Sequence, residues 1–209
     1  GSSTIKPLKV TRNLGVYFDN TMTLSSHIDN VRRSVLFHIK NLWRIRKFID
    51  TTSCHHAARA LVLSRIDYCN ALFTCLSAKN TSRLQRLQNS GARVVFAVGR
   101  RTEAEPLLRT LHWLPVSQRV TFKILLYIYK ALNEQAPLYI TELLSYYTPA
   151  RPLRSSTDPS RLVVPRFHSV AGERRFAVAA AKAWNCLPEC IRTAQSTNVF
   201  KKSLKTHLF

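Results

Sequence analysis

Ser25-Ser26-His27-Ile28-Asp29-Asn30-Val31-Arg32-Arg33-Ser34-Val35-Leu36-Phe37-His38-Ile39-Lys40-Asn41-Leu42-Trp43-Arg44-Ile45-Arg46-Lys47-Phe48 reads as one long helix with two unlike faces. At about 100° per residue, Ile28, Val31, Val35, Leu36, Ile39, Leu42 and Trp43 fall in a single apolar arc. Arg33, Lys40, Arg44 and Lys47 fall on a separate narrow stripe at i, i+7, i+11 and i+14. Ser25 or Ser26 is positioned to cap the start. Asp29 is the acid near that stripe, whereas a merely solvated face normally mixes in carboxylates for solubility and i,i+4 pairing. The pattern therefore predicts a helix with a packed side and a side suited to phosphates; a plain solvated face is the competing reading.

Working outward, residues 5–10 and 14–18 are β-branched or aromatic-rich and read as two strands broken at Thr11, Arg12 and Asn13. A two-strand hairpin alone is marginal in water, so a larger parent sheet is expected, and with it a chain cut from a bigger protein. Gly1, Ser2 and Ser3 are native or a cloning remnant. Downstream, helices are predicted at 52–64, 67–77 and 81–98. In the last, Leu84, Leu87, Val94, Val95 and Val98 share a face with Gly91, which would let another backbone approach. Arg86 and Arg93 align away from it, and Gly99 stands as the helix stop before Arg100 and Arg101. Further helices are predicted at 103–112, 116–133, 137–144, 176–184 and 199–208. The 116–133 segment is apolar nearly all round and is expected at a domain centre. Residues 146–173 carry four prolines and Arg151, Arg154, Arg161 and Arg166, an irregular basic segment with a short strand at 162–164. The fold class that results is mainly α: a short N-terminal β-hairpin, a helical bundle, then a helical C-terminal domain with an irregular basic segment. The divisions expected are 1–20, 21–100 and 101–209.

The chain has 209 residues, 45% of them apolar, which is globular material; its five glycines argue against a turn-rich β-sandwich. Thirty-two Lys and Arg face eleven Asp and Glu, a formal net charge of +21. Such an excess repels itself in the compact state, and a polyanion relieves it; nucleic acid is the polyanion that also gains counterion release. The excess sits at the two ends: residues 101–150 hold five basic and four acidic side chains, whereas 151–209 hold eleven and three. Five cysteines in no paired framework suggest reduced thiols and an intracellular setting, nuclear or cytoplasmic. The longest apolar run, 124–129, is far too short to span a bilayer, so no membrane partner is expected.

Tests for chemistry come back empty. Cys54, His55 and His56 with Cys69 and Cys75 lack the paired spacing of a structural zinc site, and no metal or other cofactor is implied. There is no Gly-x-Ser-x-Gly elbow, no Gly-rich phosphate loop, and no clustered carboxylates to hold two metal ions. Trp43, Trp113 and Trp184 lie among Leu and Pro and read as core; Tyr146 and Tyr147, beside the Arg-rich segment, are the better candidates for stacking on bases.

Several blocks resemble one family. They are Arg12-Asn13-Leu14-Gly15-Val16-x-Phe18-Asp19; Ser64-Arg65-Ile66-Asp67-Tyr68-Cys69-Asn70-Ala71-Leu72; Leu84-Gln85-x-x-Gln88-Asn89-x-x-Ala92-Arg93; and Leu111-His112-Trp113-Leu114-Pro115-Val116-x-x-Arg119. Ala136-Pro137-x-Tyr139, Arg154-Ser155-Ser156, Trp184-Asn185-x-Leu187-Pro188 and Phe200-Lys201-x-x-Leu204-Lys205 follow in order. Together they resemble the region after the palm in LINE-type (non-LTR) retrotransposon reverse transcriptases, in particular animal ones. Gly91, Cys75 and Ala181 stand where that family usually has Ala, Gly and Pro, which touches local packing only. The resemblance implies a thumb and C-terminal region without the fingers and palm, hence without the catalytic aspartates or an endonuclease, and so no enzyme by itself. It places Leu14 and Gly15 near a primer terminus, and it sets the Arg33, Lys40, Arg44 and Lys47 helix against a template–primer duplex. Expected partners are template RNA, an RNA–DNA hybrid or target DNA, and the upstream fingers and palm, in support of target-primed reverse transcription. The nucleic-acid candidates are those four with Arg86, Arg93, Arg100, Arg101, Arg151, Arg154, Arg161 and Arg166. A domesticated protein-interaction module with incidental charge is the alternative.

Overall fold

The computed structural model describes residues 8–148, 159–167, 172 and 175–209, and the chain divides into two compact units, 1–117 and 118–209. Mainly helical architecture with an N-terminal hairpin is what it shows. Unit 1 opens with antiparallel strands β1 (Val10–Asn13) and β2 (Val16–Asp19), Thr11 pairing with Phe18 and Asn13 with Val16. The expected break at residues 11–13 is thus corrected: these residues are strand, as β-branched Thr11 favours, and the turn is Leu14–Gly15. Both turn residues have positive φ, 45° and 83°, the two-residue geometry that matches strand twist. Gly15 adopts it without a Cβ penalty; Leu14 does not. The Tyr68 hydroxyl donates to the Leu14 carbonyl at 2.5 Å and pins the turn.

Helix α1 (Ser25–Ile45) follows, and no serine caps it: Leu24 precedes it in the left-handed region. The incoming turn is held instead by Asp19, which accepts from the Thr21 hydroxyl and from both the amide and hydroxyl of Thr23. Ile28, Val31, Val35, Ile39 and Leu42 are buried, as the apolar arc predicts. Leu36 and Trp43, at the arc's edge, are not; they are 40% and 42% exposed. A 3-10 turn, Arg46–Phe48, ends the run.

Asp50 then caps α2 (Thr51–Ala58), accepting from the Thr52 and Ser53 amides at 2.8 and 3.0 Å. Instead of stopping, α2 passes through a π-turn, Arg59–Leu63, into α3 (Ser64–Asp67). A 3-10 segment, Asn70–Cys75, replaces the second half of the helix expected at 67–77, because Tyr68 turns extended and Cys69 takes φ 52°. Helix α4 (Ala78–Val95) packs along α1 and α2. Its Gly91 admits side chains rather than a backbone: a Cβ there would lie 3.2 Å from Val62 Cγ1 and 3.7 Å from the Trp113 ring. The helix stops before Gly99. Ala97 (φ 54°) forms the left-handed cap, with Val98 N bonded to Arg93 O and Ala97 N to Val94 O. The same pattern closes α5 (Glu105–Thr110) at His112.

Residues 101–117, which the expected division at residue 100 groups with the C-terminal region, belong to unit 1. Buried Gln88 donates to the Leu114 carbonyl at 2.8 Å, and Gln85 accepts from the Val116 amide at 2.8 Å. Two of the sequence blocks therefore meet as a structural joint.

Unit 2 takes in most of α6 (Val116–Leu132), then α7 (Leu138–Thr141), α8 (Phe176–Asn185), α9 (Glu189–Arg192) and α10 (Thr197–Leu208). Ile124, Leu125, Ile128 and Tyr129 of α6 are buried, while Phe122, Leu126 and Tyr127 are only half-buried. The aromatic centre is Tyr129 stacked on Phe200 at 4.2 Å, with Trp184 beside it at 6.1 Å. Each polar tip is satisfied: the Tyr129 hydroxyl donates to Ala194 O at 2.7 Å and the Trp184 indole to Ser160 O at 2.8 Å. Asn185 grips the Leu162 amide and carbonyl at 2.9 and 2.8 Å. The strand expected at 162–164 is a single bridge, Tyr146 to Leu162.

Candidate nucleic-acid interface

Arg33, Lys40 and Arg44 are exposed on α1, and Lys47 is exposed on the 3-10 turn after it. Burial of Ile28, Val35, Ile39 and Leu42 fixes the helix so that these cations point outward. Asp29, the acid beside them, is engaged in an ion pair with Arg83. None of Arg33, Lys40 and Arg44 has an ion-pair or hydrogen-bond partner among the described residues. The face also carries what periodicity did not single out: Phe37, 61% exposed, lies within the basic stripe, and Phe48, 75% exposed, lies beneath the Lys47 ammonium at 4.8 Å. Cations interleaved with aromatic rings can neutralise phosphates and stack on sugars or bases.

The other candidates separate. Arg86 is exposed on α4 and reaches its own Ser82 carbonyl at 3.3 Å. Arg93 is half-buried and donates to Thr102 O at 2.9 Å, closing the loop after α4, so it holds structure. Arg100 and Arg101 are exposed in that loop. Leu14, 84% exposed, and Gly15 form the hairpin tip. In unit 2, Arg161 and Arg166 line a cleft, while Arg151 and Arg154 lie outside the described residues. Trp113 and Trp184 are core, as expected; Trp43 is corrected to a surface residue bordering the basic face.

Three arginines that charge counting does not separate from ligand residues are spent on the fold. Arg46 donates to Val94 O, Val95 O, Ile49 O and the Thr51 hydroxyl at 2.8–3.2 Å, and so caps the carboxyl end of α4. Arg65 ties Ser34 to Leu61 O at 2.8 and 3.1 Å, and Arg83 pairs with Asp29. Arg46 was legible: it falls on the apolar arc, four residues after Leu42 and seven after Ile39, where a guanidinium must find buried acceptors.

Two histidines on the helices of unit 1 are held below the ordinary imidazole value. Burial, then the Arg65 charge, lowers His38; burial, then Arg59 and His56, lowers His55. His55 Nε2 accepts from the Trp113 indole at 3.1 Å. Burial raises the Cys54 thiol, which Arg46 partly offsets. Among the described residues no group of His, Cys, Asp and Glu is placed to hold a metal ion, and no helix is long and apolar enough to cross a membrane. Comparison with protein-family models, with curated proteins and with solved structures finds no match to this chain.

Proposed function

We propose that the chain is a non-catalytic nucleic-acid-binding module whose α1 lies against the phosphates of a duplex. The observation that carries this reading is the face of Arg33, Lys40 and Arg44, without a carboxylate of its own to neutralise it and with Phe37 set into it. From Arg33 to Arg44 the face runs about 16 Å along the helix, which is about five nucleotide steps of one strand. Contacts of that kind position a duplex and read little sequence. The sequence blocks, together with this face, favour the thumb and C-terminal region of a LINE-type reverse transcriptase as the parent context. There the module would hold template RNA paired to primer during target-primed synthesis, and the catalytic groups would belong to the upstream palm. The test is binding to an RNA–DNA hybrid, duplex DNA and single-stranded RNA across a salt series, repeated with Arg33, Lys40, Arg44 and Lys47 changed to Ala. The logarithmic salt slope for duplex should become shallower by about 0.9 per phosphate contact removed, or about 3.6 for all four. A slope that the variant leaves unchanged refutes the assignment. One observation favours a second reading: Leu36, Trp43, Ile45 and Phe48 expose apolar surface beside the stripe, as a protein-docking face would, and association insensitive to salt would select it.

A further inference from the structure

Apolar side chains border the cation row of α1, and their places bear on which kind of strand the row suits. Arg33 and Lys40 stand about 10 Å apart along the helix, about three nucleotide steps of a strand. What projects between two phosphate-binding cations meets the sugars that join the phosphates. In that interval the exposed side chains are Leu36 and Phe37, on either side of the row and 40% and 61% exposed. The Phe37 ring stands edge-on to His38 with ring centres 5.3 Å apart, so it is positioned before anything binds. Trp43, beyond Lys40, adds ring surface and a single N–H. The neutral polar side chains Asn30, Ser34 and Asn41 are half-buried, about 120–160° round the helix from Leu36, and Ser34 already accepts from Arg65 at 2.8 Å. Ribose differs from deoxyribose by one hydroxyl, a group that needs a hydrogen-bond partner once water is removed from it. Leu36 and Phe37 supply none, whereas the C2′ methylene of deoxyribose packs against them without loss.

We propose that α1 selects a DNA strand over an RNA strand, with Arg33 and Lys40 on its phosphates and Leu36 and Phe37 against its deoxyribose. This rests on the duplex-binding reading of α1 and names the strand that the face takes. A DNA duplex, or the DNA strand of a hybrid, is then bound in preference to an RNA duplex. The experiment is fluorescence anisotropy of the full chain across a salt series with three duplexes of one sequence. They are DNA, RNA, and RNA carrying 2′-fluorine in place of every 2′-hydroxyl, which removes the hydroxyl and keeps the A-form shape. The DNA and 2′-fluoro duplexes should each bind about tenfold more tightly than RNA. Leu36→Gln combined with Phe37→Gln puts a good helix former that can bond a hydroxyl at two exposed positions. It should bring the three duplexes within about twofold of one another and leave the salt slope as in the parent. Phe37→Gln alone, at the more exposed position, should narrow the gap part way and serves if the double variant does not fold. Equal affinities with a steep salt slope would overturn the strand assignment and leave the duplex reading standing. A 2′-fluoro duplex that binds like RNA while DNA binds more tightly would also overturn it, because groove shape and not the sugar would then be discriminated. Association that does not respond to salt would remove both readings and give the face to a protein partner.

Discussion

Replacing Arg46 with Ala removes five hydrogen bonds from one half-buried guanidinium: two to Val95 O, one each to Val94 O and Ile49 O, and one to the Thr51 hydroxyl. A charged donor to a buried carbonyl contributes about 1.5–3 kcal/mol. Water can reach the end of α4 once the side chain is gone, and three of the bonds share two neighbouring carbonyls, so the values do not add. The loss should be about 2–4 kcal/mol, including the favourable placement of a cation at a helix carboxyl end. Arg46→Lys keeps the charge but loses the planar fork, and should recover about half. The assay is urea unfolding at neutral pH followed by tryptophan emission in a Trp184→Phe background, so that Trp43 and Trp113 of unit 1 report. A loss of that size moves the midpoint down by about 1–2 M. Arg44→Ala, two residues away but exposed, should stay within about 0.5 kcal/mol of the parent. If Arg46→Ala and Arg44→Ala behave alike, the capping argument is wrong and Arg46 belongs with the surface cations.

Ala97→Gly should stabilise unit 1 by about 0.5–1 kcal/mol in a thermal melt, since it relieves a left-handed alanine and gives back only part of the gain through unfolded-state entropy; destabilisation would mean that the Ala97 methyl has a packing role. His27 should make stability depend on pH. It is 2% exposed, neither ring nitrogen has a hydrogen-bond partner among the described residues, and burial lowers its pKa below 6.5. The unfolded chain therefore takes up the proton first as pH falls. Stability should be full above the unfolded pKa of about 6.5 and decline as the pH falls below it. His27→Phe, beside Phe73 at 5.8 Å, should flatten the dependence of the urea midpoint, leaving the share of His38 and His55; an unchanged pH profile would contradict the burial argument.

What could be read in advance followed from periodicity. The α1 arc placed five core residues because one helix buries one face, and it lost Leu36 and Trp43 because an arc's edge meets solvent or core according to what lies opposite. Its weakness was treating polar and apolar residues as separate lists: Phe37 sits beside the cations, about one helical turn from Arg33 and from Lys40, and Arg46 sits among the aliphatics. Glycine was the other misleading guide. Gly99 looked like the stop, yet the chain ends three helices on Ala97, His112 and Glu134 in the left-handed region, which propensity alone disfavours and tertiary packing overrides. The cleft of unit 2 was only half legible. Arg161, Arg166 and Tyr147 were visible as charge and ring, but their meeting depends on Asn185 holding Leu162, a pairing across 23 positions that no local pattern encodes.

The π-turn at Arg59–Leu63 bears on how this chain can change length. A π-turn holds one residue more than the α-helix around it, so it behaves as an insertion that the helix has absorbed. Deleting one residue between 59 and 63 would therefore restore ordinary winding and leave the residues beyond close to their present angle, with Arg65 still on Ser34 and Tyr68 still on the Leu14 carbonyl. A deletion inside α4, which has no surplus residue to give up, would instead rotate everything beyond it by about 100°. The surplus residue is slack in the chain, and lineages carrying this fold should vary in length at the π-turn or at the loop after Val95 rather than inside α1 or α4.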